Sequence, residues 1–104
     1  MDWSSSQKGQ LIKAILAIET AEEARRFLRD LMTEKEIEEC AKRLQTAHLL
    51  AESVPYSVIE QKTGLSSTTI ARVSKWFNGK EGGYKTVISK LHHHHPAQVR
   101  RGLS

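Results

Sequence analysis

The chain has 104 residues, enough for one small domain and too few for a catalytic domain joined to a regulatory one. With 38% hydrophobic and 27% charged residues, it is too apolar for a disordered chain and too polar for a membrane protein. The net charge of +4 is unevenly placed: residues 1–60 carry 8 Lys/Arg against 11 Asp/Glu, and residues 61–104 carry 8 against 1. A basic second half points to a polyanion, nucleic acid before a membrane surface. The start, Met1 to Ser6, lacks the basic end and apolar run of a signal peptide. No apolar run is long enough to cross a bilayer, and the single Cys40 cannot form an internal disulfide. These features place the chain in a reducing cytoplasm.

The elements read as helices in chain order. Leu11, Ile12, Ile15 and Leu16 recur at helical spacing and predict a helix over 7–18. Thr20 with Glu23 three residues on forms a capping-box signature opening 21–31, where Ala24, Phe27, Leu28 and Leu31 make an apolar stripe. Thr33 with Glu36 opens a longer helix over 34–52, striped by Ile37, Cys40, Ala41, Leu44, Ala47 and Ala51. On that stripe Cys40 reads as a small buried hydrophobe and His48 as a packed or interface histidine. Pro55 ends the third helix, because the residue before proline avoids the α region. Ser57 with Glu60 predicts a capped helix over 57–63, and a further helix covers 67–77. The Gly79–Gly83 segment is a turn, and Tyr84, Val87, Ile88 and Leu91 predict a last helix over 84–91. Strict apolar–polar alternation is absent, so the class is all-α with six helices and no sheet. Residues 1–91 form a single helical domain. The run His92 to His95 and the two arginines after it, over 92–104, read as a disordered tail.

The informative stretch runs from Tyr56 to Phe77. A short helix ends at Thr63, and Gly64 can take positive φ at no steric cost, which a tight turn between helices requires. Leu65 plugs the angle, and Ser66 or Ser67 caps the second helix. Ile70 and Val73 face inward against Ile59 and Leu65. This is a helix-turn-helix pattern. The outward residues of the second helix, Ser66, Ser67, Thr68, Ala71, Arg72 and Lys75, are small or hydroxyl-bearing at its start and basic further on. Such a helix can enter a DNA major groove with its N-terminal residues at base edges. Tyr56, Ser57, Lys62 and Lys75 are candidates for phosphate contact, Ser66, Ser67, Thr68, Ala71 and Arg72 for the groove. One residue departs from the pattern: Glu60 stands mid-helix where a small residue is usual.

Several segments, in order and at similar spacing, resemble the Trp repressor superfamily, and within it the small TrpR-related YerC/YecD family. They are Leu31-Met32-Thr33-x-x-Glu36, Arg43-Leu44, Thr63-Gly64-Leu65-Ser66 and Thr69-Ile70-Ala71-Arg72-Val73. Asn78-Gly79-x-x-Gly82-Gly83-Tyr84-Lys85 resembles the YerC/YecD branch in particular. The resemblance covers about Leu11 to Leu91. It implies a bacterial-type, intertwined homodimer whose N-terminal helices, about 7–52, make the interface, with helix-turn-helix heads over about 56–77 reading double-stranded DNA. It also implies an effector pocket at Thr33, Arg43 and Arg72. Val73 and Trp76 stand there where the tryptophan-sensing repressor has smaller residues, so the pocket is expected to be closed by the chain's own side chains. No cofactor and no L-tryptophan response are expected.

No Ser/His/Asp or Cys/His set falls on the helices, and Glu34, Glu36, Glu38 and Glu39 complement a helix start, so an enzyme is not expected. Histidines on a disordered tail have neither fixed geometry nor a second shell, so no metal site is read from them. The reading is a sequence-specific transcriptional regulator, a repressor acting by operator occupancy. The alternative is a dimeric protein-interaction module whose helix-turn-helix does not read DNA.

Overall fold

The computed structural model describes the backbone of residues 1–100 and the side chains of residues 1–92. Among the described residues there are six helices and no strand: α1 (Ser6–Ala17), α2 (Ala21–Leu31), α3 (Glu34–Ala51), α4 (Tyr56–Thr63), α5 (Ser67–Phe77) and α6 (Gly83–Arg100). The first five lie within a residue of the helices predicted at 7–18, 21–31, 34–52, 57–63 and 67–77. The sixth differs. It was expected to stop at Leu91 with disorder from 92, but it continues to Arg100. Gly102 is the first glycine after Gly83, and Pro96 removes a single backbone donor without ending the helix. Residues 101–104 of the expected tail lie outside the described residues.

Side-chain caps close the starts of α1, α2 and α5. Ser5 Oγ accepts from Lys8 N at 3.3 Å, and Thr20 Oγ1 accepts from Glu23 N at 3.1 Å. The Glu23 carboxylate reaches past the cap and accepts from Glu19 N at 2.9 Å, one residue earlier than a standard capping box. Ser66 caps α5. The Ser57–Glu60 box does not form. The helix begins one residue sooner, behind Pro55, which has φ −64° and no side-chain hydrogen bond. The ring fixes that φ, so proline itself sets the entry into the helix and leaves Ser57 inside the first turn.

The end of α3 owes more to local backbone geometry than to Pro55. Val54 N–H donates to Leu49 O at 3.0 Å and Ser53 N–H to Leu50 O at 3.0 Å, with Ser53 at φ 61°. This is a Schellman motif with serine in the left-handed position where glycine is preferred.

The chain's contacts group it as two compact units, Met1–Glu34 and the remainder from Lys35. In the N-terminal unit no residue of α1 or α2 is buried. Leu11, Ile12, Ile15, Leu16, Leu28 and Leu31 are all exposed, Leu16 at 77%. The unit therefore has amphipathic helices but no core of its own.

In the C-terminal unit two small cores meet at Leu50. Ile59, Leu65 and Ile70 form one, flanked by Leu49, Leu50 and Val54. Ala47, Val73, Phe77 and Ile88 form the other, flanked by Leu50 and Tyr84. Ile70 thus packs with Ile59 and Leu65 as expected, but Val73 does not. Three residues along a helix is an advance of about 300°, so Val73 is offset about 60° from Ile70 and one turn higher. It meets Ala47 and Ile88 instead. The α3 stripe is also corrected: Ala47 and Thr46 are buried, while Cys40, Ala41, Leu44 and Ala51 are exposed. His48 is half-buried.

Candidate nucleic-acid interface

The turn between α4 and α5 is built by three adjacent residues. Gly64 takes φ 75°, ψ 5°, and its N–H donates to Glu60 O at 2.9 Å. Thr63 is buried; its hydroxyl donates to Ile59 O at 2.8 Å and accepts from Leu65 N at 3.1 Å. Leu65 is buried against Ile59 and Ile70. Sequence reasoning passed over Thr63 as a functional residue, yet its hydroxyl satisfies the buried Leu65 amide in the turn. A hydroxyl residue directly before the turn glycine was the available signal.

Helix α5 then divides by face. Ile70, Val73 and Phe77 point into the cores. Thr68, Ala71, Arg72 and Lys75, at i, i+3, i+4 and i+7, are all exposed on the opposite side, with Ser67 at its start. Tyr56, Ser57, Lys62 and Ser66 are exposed as well, so all nine proposed nucleic-acid contacts are solvent-accessible. Ser66 is already committed. Its Oγ accepts from Thr69 N at 3.2 Å and donates to Thr69 Oγ1 at 3.1 Å. It orients the helix start and has little hydrogen-bonding capacity left for a base. At the other end Asn78 Nδ2 donates to Ser74 O at 3.0 Å, fixing the helix C-terminus. The outward face of α5 carries the cations Arg72 and Lys75 and no acid, and Lys62 is exposed on α4.

The proposed effector residues come together in part. Arg43, Thr69, Arg72, Val73, Trp76 and Tyr84 line a cleft of about 50 Å³. That volume holds a water or two and is far below the roughly 300 Å³ at which small-molecule pockets begin. Arg43 Nε lies 3.4 Å from Glu39 Oε2, an ion pair misaligned for hydrogen bonding, so this covered N–H has no hydrogen-bond acceptor. Val73 turns its side chain into the core, whereas Trp76 is 57% exposed. Tyr84 and Thr69 were not anticipated. Tyr84 arrives from α6, across the Gly79–Gly83 turn, a juxtaposition that local sequence does not signal. Thr33 directly precedes α3, in the N-terminal unit.

Comparison with known proteins agrees with this architecture. The family model described as Trp repressor protein matches residues 6–92. The chain is 38% identical over 82 residues to the uncharacterized protein YerC of Bacillus subtilis (strain 168), covering 79% of each chain. It superposes on the crystal structure of a TrpR like protein from Eubacterium eligens ATCC 27750 with a TM-score of 0.81 and 35% identity, covering 86% of this chain and 93% of that one.

Proposed function

The chain belongs to the Trp repressor family, and from that premise we propose that it is a sequence-specific regulator that binds double-stranded DNA as a homodimer and represses by occupying its operator. The observation that carries the reading is the exposed face of α5: small and hydroxyl side chains at the N-terminal end, cations beyond, no acid among them, and a rigid buried face behind. Small residues let the helix approach base edges closely. Thr68 and Ser67 can donate, accept or offer a methyl group, and Arg72 can reach guanine or a phosphate. Tyr56, Ser57, Lys62 and Lys75 flank this strip and supply backbone contacts, which hold register without reading sequence.

The homodimer is supported by the exposed leucines and isoleucines of α1 and α2, amphipathic faces that need a cover this chain does not give them. Two-fold symmetry then asks for a roughly palindromic operator with half-sites about one helical turn apart. Binding is independent of tryptophan in this reading. The small cleft, about 50 Å³ with Trp76 from the same chain at its edge, supports this.

The test is selection of DNA from a random-duplex library by the purified protein at about 0.15 M salt, where non-specific contacts are weakened. The expected result is an enriched two-fold-symmetric motif without added effector. Retention without enrichment means backbone binding only and overturns sequence-specific reading. No retention favours the protein-interaction module instead.

A further inference from the structure

Two imidazoles from distant parts of the sequence meet in the C-terminal unit. His48 is half-buried near the end of α3, and His92 is exposed on α6. Their ring centroids are 6.0 Å apart, with ring planes at 66°. The seam beneath them is packed: Ala47, adjacent to His48, and Ile88, one turn before His92, share a buried cluster with Val73 and Phe77. The continuation of α6 past Leu91 is what sets His92 on a helix rather than on a loose tail.

That spacing suits a shared ion. A metal–nitrogen bond of about 2.0–2.1 Å puts an imidazole centroid about 3 Å from the metal, so two rings on one ion lie about 5–6 Å apart. The described residues hold no group of three or more His, Cys, Asp and Glu side chains suited to a metal, so water would complete the shell here. Imidazole donors with water select late divalent transition ions over calcium or magnesium.

We propose that His48 and His92 form a two-imidazole site for a late divalent transition ion of the zinc type, which staples α3 to α6. The staple would steady the helix that packs behind α5 through Val73, Phe77 and Ile88. The competing holder is the adjacent run His93 to His95, and the experiment must separate the two.

Thermal unfolding of the full chain is followed with and without zinc chloride at about tenfold its Kd. Wild type, His48→Gln, His92→Gln and a variant with His93, His94 and His95 all changed to glutamine are compared. Ligand linkage predicts a Tm rise of roughly 5–10 °C in wild type and in the triple variant. The rise should fall by more than half in His48→Gln and in His92→Gln, and calorimetry of the triple variant should give one zinc per chain. A full rise in His48→Gln would assign the ion to the run and overturn the proposal, as would its loss in the triple variant or its absence from wild type. Should His48→Gln unfold without metal, the exposed His92→Gln decides the same question.

Discussion

The turn of the helix-turn-helix rests on one backbone conformation, and Gly64→Ala tests it. Gly64 has φ 75°, and a Cβ built there meets no atom within 4 Å. Steric clash is therefore absent, and the whole cost is that of holding an L-residue in the left-handed region, about 1–2 kcal/mol. Alanine's smaller freedom in the unfolded chain returns roughly 0.4–1 kcal/mol of this, and for a domain of this size each remaining 1 kcal/mol moves Tm by roughly 4–8 °C, so Gly64→Ala should lower Tm by a few degrees. Ser53→Gly supplies the mirror experiment, since Ser53 holds φ 61° without being glycine. It should relieve strain of the same kind and raise Tm, with a gain held to about 1 kcal/mol by the added freedom of glycine in the unfolded chain. Circular dichroism at 222 nm through a thermal scan reads both. If Gly64→Ala were neutral or stabilising, the turn would not be left-handed in solution, and the geometry that positions α5 would have to be rebuilt.

Four further outcomes are expected. Thr63→Val keeps the shape but strands the buried Leu65 N–H, and should cost about 1–3 kcal/mol in urea unfolding; a change under about 0.5 kcal/mol would refute the hydroxyl's bridging role. Thr68→Ala should relax sequence preference by about 1–3 kcal/mol in competition binding, and an unchanged preferred site would mean that α5 is not the reading helix. Lys75→Ala should weaken all duplexes alike and reduce the slope of log K against log salt by about 1, whereas a sequence-dependent loss would assign Lys75 to base contact. Titration of L-tryptophan by calorimetry should give no heat at micromolar ligand, and saturable heat there would show that the cleft by Trp76 opens.

Helix positions were legible from local chemistry. The 3.6-residue stripes, the hydroxyls of Thr20 and Ser66 and Gly64 at the turn act within a few residues of themselves, so a linear reading captures them. The exposed strip of α5 was legible for the same reason: once Ile70 and Phe77 are inside, helical geometry forces Thr68, Ala71, Arg72 and Lys75 out. Where two local signals competed, the reading chose wrongly. Ser57 looked like a cap, but the proline two residues earlier had already set the entry dihedral.

What tertiary structure alone decided concerns partners far apart in sequence. Val73 joins Ala47 and Ile88 rather than Ile59, Tyr84 reaches the Arg43–Arg72 cleft, and His48 meets His92. Periodicity says which side of a helix is apolar; it does not say which other helix will cover that side, or whether this chain supplies the cover at all. Cys40 and Leu44 show the limit, for they lie on an apolar stripe and yet are exposed. Burial is a property of the neighbours a residue finds, and those neighbours are set by how the helices are arranged in space.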